Sequence, residues 1–248
     1  MDSLNDLTSI VRRGVDDYGM IDDGDTIAVG LSGGKDSLVL LCALSHLQRY
    51  YPKRFELEAF TADIGFEGMD FSPAVKLCED LGVPFTLLKT NIREIVFDIR
   101  KEKNPCSLCS TMRRGALHNA IMARGIKKIA LGHHFDDAVE TYLMSLIYNG
   151  RIHCFRPVTN MRTSGICQIR PMIYVEEKRI IAVCEALSLQ LVESTCPLDK
   201  DSKRREIKRL IASLEADYPD LKTRIFGAIR RFPLKGWETK VNEKASSL

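Results

Sequence analysis

No apolar run in this 248-residue chain approaches the roughly eighteen residues needed to cross a bilayer. Its opening, MDSLNDLTSIVRRG, lacks the basic-then-apolar layout of a secretory leader. Both absences lead us to expect a cytoplasmic protein with no membrane partner. Net charge is scarce as well: 36 Lys and Arg against 33 Asp and Glu leave a formal +3, so bulk charge names no partner and only local clusters can. No internal repeat or low-complexity tract is present. Disulfides are not expected either. Eight cysteines would allow four, but a chain with 45% hydrophobic residues builds its own core and has no need of them in a reducing compartment. The thiols are then core residues, metal ligands or chemical actors.

What is present is a rhythm. Between residues 26 and 195, short runs rich in Val, Ile, Leu and Phe alternate with longer stretches of helical period, the pattern of a parallel sheet covered by helices. The expected fold is α/β, a doubly wound parallel sheet. Strands are expected at 26–32, 55–63, 84–90, 128–133, 168–172 and 189–195, with helices between them. DSLVLLCALSHLQRYY is apolar on more than one side, as suits a helix under a sheet, and AVKLCEDLG stops on Gly82 like a capped helix. Residues 151–167 have no helical period and read as a long loop. From Asp201 the composition shifts to two amphipathic helices broken near Pro219, with cations bunched at 203–209 and 222–231. The polar end, KGWETKVNEKASSL, reads as fraying. The chain thus divides into an N-terminal helical segment (1–24), the α/β domain (25–200) and a basic helical C-terminal element (201–248).

The first strand ends in Ser-Gly-Gly-Lys-Asp-Ser and opens a helix, so backbone N–H groups and a helix N-terminus converge on one point, where anions bind. Gly33 and Gly34 let the backbone approach an oxyanion, Lys35 supplies a point charge, and Ser32 and Ser37 supply hydroxyls. Asp36 fits an anion site only if it holds a divalent metal or orients a lysine. The Walker pattern fails twice, at Val29 and at Asp36, which excludes a γ-phosphate hydrolysing loop of that kind. A plain glycine turn would explain the glycines but not the lysine, acid and hydroxyls beside them. SGGKDS resembles the signature of the PP-loop ATP pyrophosphatases, a family with a doubly wound parallel sheet that cleaves ATP between its α and β phosphates. The resemblance implies that the loop grips the departing phosphates, that Asp36 serves Mg²⁺, and that Ala62 and Asp63, at the end of the second strand, meet adenine.

LGHHFDDAVETYLMSL repeats the arrangement later in the chain, with Gly132 and His133 at a strand end and Asp136 and Asp137 on the opening turn of a helix. Acids there suit the helix dipole, which is one complete explanation of them. The PP-loop family carries a similar G-H-x-x-D-D element facing the nucleotide at the switch point of the sheet. That resemblance implies nucleotide contact for Gly132 and Asp136, and a catalytic or metal-binding part for Asp137. His134 is left out of the site, because a histidine beside a strand end is ordinarily packed and hydrogen-bonded.

NPCSLCSTMRRGAL places Cys106 and Cys109 three apart, with Arg113 and Arg114 just beyond. A lone C-x-x-C reads as a redox dithiol, half a zinc site or part of an iron–sulfur site. A helix is expected from Ser110, so the thiols lie near its N-terminus, where thiolate is favoured. No second C-x-x-C completes a four-cysteine centre. Cys196 is a candidate third ligand, with Cys154 and Cys167 as rivals, while Cys42, Cys78 and Cys184 fall in apolar helical patterns and read as core.

Taken together, SGGKDS, C-S-L-C-S-x-x-R-R-G, L-G-H-H-x-D-D and a late T-C-P resemble the tRNA 2-thiocytidine synthetase family (TtcA), within the TtcA/TtuA group of tRNA thiolases, from about residue 25 to 231. The resemblance implies a [4Fe–4S] cluster on Cys106, Cys109 and Cys196, with one iron free of protein ligands. This chain departs from the best-known members in having CPLD where they carry a second C-x-x-C, so cytidine or uridine is the open choice of target.

The implied reaction starts from a pyrimidine C2 oxygen that cannot leave as oxide. ATP adenylates that oxygen and pyrophosphate departs; sulfur then replaces it and AMP is released. Lys35, Asp36, Asp137 and Arg113 are the candidate catalytic residues, ATP, Mg²⁺ and the cluster the cofactors. The partners expected are tRNA and a sulfur donor, either a cysteine desulfurase or inorganic sulfide, with homodimer formation left open. Lys203, Arg204, Arg205, Lys208, Arg209, Lys222, Arg224, Arg230 and Arg231 would supply the cationic face for RNA, or simply a solvated one. Two alternatives stand beside this: an amidating or lysidine-forming PP-loop ligase with zinc on the cysteines, and a non-catalytic nucleotide-dependent RNA-binding or sulfur-carrier protein.

Overall fold

The computed structural model of the chain describes residues 3–101, 105–161, 164–193, 195–196 and 203–231. The boundary drawn at 200/201 and the polar end from 235 lie outside these residues. Six strands form one sheet in the order β3-β2-β1-β4-β6-β5, with β1 at Asp25–Gly30, β2 at Phe55–Asp63, β3 at Phe85–Lys89, β4 at Lys128–Ala130, β5 at Val158–Asn160 and β6 at Cys167–Ile169. Every pairing is parallel except β5 with β6. This is the expected doubly wound sheet, and its order reverses between β1 and its neighbours β2 and β4, which opens a crevice at the carboxyl edge.

Two expectations change. Residues 151–167, expected as a long loop without helical period, contain β5, three residues that add an antiparallel edge. Residues 189–195 were read as a strand, but the described part of that stretch is extended and joins no sheet. Its Val192 N–H donates to the Gly33 carbonyl at 3.0 Å instead. An apolar alternation thus covers a loop rather than extending the sheet.

Helix α1 (Leu4–Tyr18) begins at Ser3, whose hydroxyl accepts from the Asp6 N–H, and ends on left-handed Gly19. Its Leu7, Val11 and Val15 share the main core with α2 (Lys35–Gln48), which is buried on nearly every side from Ser37 to Leu47. Helix α3 (Ser72–Leu81) stops at Gly82 in the left-handed region, as its sequence indicated. A π-helical stretch, Glu94–Ile99, precedes α4 (Pro105–Ala123). Helices α5 (Phe135–Asn149) and α6 (Glu177–Ala186) follow β4 and β6. The C-terminal pair, α7 (Lys203–Asp217) and α8 (Leu221–Arg231), packs on α5 and sends Ile207, Ile211, Phe226 and Ile229 into the same core. Among the described residues, no helix is long and apolar enough to cross a membrane.

One contact fixes the crevice. A Cβ on Gly132, just past β4, would stand 3.1 Å from the Asp36 carbonyl carbon and 3.2 Å from the Ser37 nitrogen. A side chain here would push the first turn of α2 away from the β4 exit by a few tenths of an ångström, so Gly132 has a packing reason independent of any ligand. Gly115, inside α4, meets nothing within 4 Å. Gly132→Ala is therefore expected to lower the unfolding free energy by roughly 1–3 kcal/mol through overpacking, and Gly115→Ala to raise it by about 0.5–1 kcal/mol through helix propensity. Chemical denaturation of both variants checks this, and equal shifts would contradict the packing described.

Candidate functional site

The loop between β1 and α2 is tied by its own serines. The Ser32 N–H donates to Ser37 Oγ at 3.1 Å and Ser37 Oγ donates to the Gly34 carbonyl at 2.9 Å. Gly33 has φ +82°, and an added Cβ would fall 2.4 Å from Val192 Cβ, so both backbone angle and packing demand glycine. Ser32, Gly33 and Gly34 thus form one turn at the N-terminus of α2, with Lys35 as the first helical residue.

Around that turn lies a dense network of charge. Lys35 Nζ is 2.8 Å from Glu177 Oε1 and 3.1 Å from Asp36 Oδ1. Asp136 takes the Glu177 N–H at 2.7 Å on one oxygen and Lys222 Nζ at 3.1 Å on the other. Asp137 accepts from the His134 N–H at 3.0 Å and pairs with Arg204. Lys208 bridges Glu177 at 2.9 Å and Glu140 at 3.6 Å. The expected acids Asp36, Asp136 and Asp137 therefore do converge, and His134 stands among them, 2% exposed, with Nε2 at 3.4 Å from Asp137 and 3.7 Å from Asp36. Leaving His134 out of the site is corrected by this geometry.

The shifts follow from burial set against these partners. Burial pushes Glu140 up to about 7, because Lys208 and Arg204 only partly offset it. Burial also opposes ionisation of Glu177, but hydrogen bonds from Lys35 and Lys208 prevail and bring it down to about 2. Asp137 is pushed up by burial and pulled down further by His134 and Arg204, for a net downward shift. His133, buried and near the Arg170 guanidinium, falls to about 4 and is neutral at physiological pH. Asp36 Oδ1 is buried and met by the Lys35 ammonium at 3.1 Å, while His134 Nδ1 and Glu140 Oε2 are buried without a hydrogen-bond partner.

Next to this network, a cavity of about 170 Å³ opens at the carboxyl edge between β1 and β2, lined by Ser32, Thr61, Ala62, Phe71, Val192 and Arg113 among others. Ala62, expected to meet adenine, lines it. Asp63 sits at the same strand end but folds its carboxylate back to accept the Gly65 N–H at 2.9 Å. Arg113 and Leu117 bring α4 to the cavity wall, so the cysteine helix and the phosphate loop share one space.

Helix α4 starts at Pro105, earlier than the expected Ser110, which puts both cysteines inside its first turns, three apart and on one side. The Cys109 thiol is pushed up by burial, with Arg113 opposing and both Cys196 and Cys106 adding to the rise. Both of the other expected sulfurs thus lie within electrostatic reach of Cys109. Their rivals do not join them. Cys154 is buried with Sγ donating to the Ala138 carbonyl at 3.4 Å. Cys167 pairs with Lys128, the first residue of β4, at the opposite edge of the sheet. Cys42, Cys78 and Cys184 are buried, as expected. Among the described residues, no three His, Cys, Asp or Glu are already gathered to hold a metal ion. The fit of an iron–sulfur group rests instead on the donor set: three partly accessible sulfurs, with an arginine and no carboxylate acting on Cys109.

The basic C-terminal helices, expected as a cationic face for RNA or a solvated one, turn part of their charge inward. Arg204, Lys208 and Lys222 point inward onto site acids, Lys203 stacks on the Tyr148 ring at 4.8 Å, and Arg230 on Tyr174 at 5.0 Å. Glu140, Glu177, Arg204, Lys208 and Lys222 had no local motif to mark them as site residues. The one sequence hint for His134 was its position three residues before an acid at a helix start.

A profile of the PP-loop domain matches residues 7–214 of the chain. The tRNA-cytidine(32) 2-sulfurtransferase of Syntrophotalea carbinolica is 34% identical over 226 residues, covering 90% of this chain and 87% of that protein. The protein of the same name from Geobacter sulfurreducens is 35% identical over 226 residues, covering 90% and 88%. Among solved structures, the U34-tRNA thiolase NcsA from Methanococcus maripaludis, with its [4Fe–4S] cluster, superposes with a TM-score of 0.76 at 25% identity, covering 92% of this chain and 78% of that one. The chain belongs to the tRNA 2-thiocytidine synthetase family of PP-loop proteins.

Proposed function

We propose that this protein is a cytoplasmic, ATP-dependent tRNA sulfurtransferase that converts a cytidine to 2-thiocytidine, as the names of its relatives describe for position 32. The observation that carries the reading is the shared cavity. Ser32 of the phosphate loop, Ala62 of β2 and Arg113 of the cysteine helix line one space, so activation by ATP and sulfur delivery have a common place to occur.

The steps balance simply. The C2 oxygen of the pyrimidine attacks the α-phosphorus of ATP, the α–β bridging bond breaks, and pyrophosphate leaves. A sulfur nucleophile then adds to C2, and AMP departs carrying the original oxygen. Lys35 and the N–H groups of Gly33 and Gly34 offset charge on the departing pyrophosphate. Ala62 and its apolar neighbours take the adenine, and Arg113 holds an anionic group of the nucleotide or tRNA near the sulfurs. Mg²⁺ would be held by the carboxylate oxygens of Asp36, Asp136 and Asp137 at the switch point, hard donors of the kind it takes. When bound on Cys106, Cys109 and Cys196, a [4Fe–4S] cluster supplies the place from which reactive sulfur is handed on. The donor is a cysteine desulfurase or inorganic sulfide.

After anaerobic reconstitution with iron and sulfide, Cys196→Ala is expected to lose stable cluster binding and Cys42→Ala to retain it, read by iron content and visible absorbance. Equal retention in both would refute the ligand assignment. Lys35→Met should slow tRNA-dependent pyrophosphate release by about a hundredfold. Nucleosides of tRNA from cells lacking the protein should be missing 2-thiocytidine while retaining 2-thiouridine, and the opposite result by mass analysis would move the target to uridine.

A further inference from the structure

Lys35 is the cation of the phosphate loop, but the group that holds it belongs to neither signature motif. Its ammonium is 2.8 Å from Glu177 Oε1, and Glu177 is the first residue of α6, 142 positions away in sequence. Glu177 is itself fixed at three points. Its backbone N–H donates to Asp136 Oδ2 at 2.7 Å, and its two carboxylate oxygens accept from Lys208 at 3.0 and 2.9 Å. One carboxylate thus joins the loop lysine, an acid of the second motif and a cation of α7.

A lysine is a point charge on a flexible four-carbon stem, with no geometry of its own. Its alternative anchor here, Asp36, is the adjacent residue and offers one contact at 3.1 Å and another at 3.4 Å. The shorter bond goes to Glu177, whose side chain is 23% exposed against 27% for Lys35. In this partly desolvated place a charge-assisted hydrogen bond is stronger than at an open surface.

Resting on the reading of the loop as an ATP site, we propose that Glu177 is the positioning residue of that site: it holds the Lys35 ammonium extended beside the loop, ready for the phosphates beyond the α position. Lys208 keeps the carboxylate aimed through its contacts at 3.0 and 2.9 Å, so α7 takes part in nucleotide binding through it. The interaction selects for ATP over AMP, since AMP lacks the phosphates that Lys35 meets.

Calorimetric titration of the full chain with ATP and with AMP, without tRNA, tests this. Glu177→Gln is expected to weaken ATP binding about tenfold while leaving AMP affinity within about twofold. Glu177→Asp keeps the charge opposite Lys208, and hence the fold, but draws the carboxylate back by one methylene; it should weaken ATP by about threefold, again sparing AMP. Weakening of both nucleotides alike would mean a merely structural role and overturns the proposal, as does unchanged ATP affinity in both variants. If the wild-type chain itself binds ATP no better than AMP, the reading of the loop fails and the proposal with it. If the wild type prefers ATP and the variants keep that preference, the proposal alone falls.

Discussion

Two stretches of main chain meet closely in this molecule where one residue has no side chain. Where β4 ends, Gly132 admits the first turn of α2 to within ordinary contact of its backbone. That approach brings the N-terminus of α2, with its partial positive charge, beside the acid-rich N-terminus of α5. Everything described at the crevice depends on this adjacency: the loop lysine and the second-motif acids come from strands that are neighbours in the sheet, and their following helices start side by side. The glycine of the second motif therefore serves architecture before chemistry.

Such a junction concentrates charge, and the compensation comes from far along the chain. Asp36, Asp136, Asp137, Glu140 and Glu177 would repel one another if left to themselves in a partly dry crevice. Lys35 answers from the loop, and Arg204, Lys208 and Lys222 answer from α7 and α8. The balance is uneven. Glu177, between two lysines, is held firmly ionised, whereas Glu140 lies only 3.6 Å from each of its cations and stays near neutrality in its titration. The C-terminal helices are thus an electrostatic wall of the site as well as a packing layer over α5.

How much of this was legible in sequence depended on whether the signal was local. The parallel sheet, the buried α2, the Gly82 cap and the glycine turn before Lys35 are each written in a few adjacent residues, and each was readable. The cysteine set was proposed partly from spacing and partly from likeness, and in the fold Cys106 and Cys196 both act on the Cys109 thiol. Glu177 could not be found in this way, since a glutamate opening a helix is common and its meaning comes from a lysine 142 residues earlier. His134 was misjudged because strand-end histidines are usually packed; this one is packed and also sits between carboxylates. Residues 189–195 carried strand-like alternation, but Val192 spends its buried side chain and its N–H on Gly33. Strand β5, three residues of modest propensity after a proline, offered too short a pattern to register.

The inward turn of α7 and α8 has a bearing on how this protein meets a polyanion. A cation already matched to a carboxylate 3 Å away displaces few condensed ions when nucleic acid arrives, because its field has been spent at home. Arg204, Lys208 and Lys222 are so matched. The adhesive strength of this flank toward a phosphate backbone is accordingly less than its tally of basic letters implies, and shape and base-level contacts must supply the remainder.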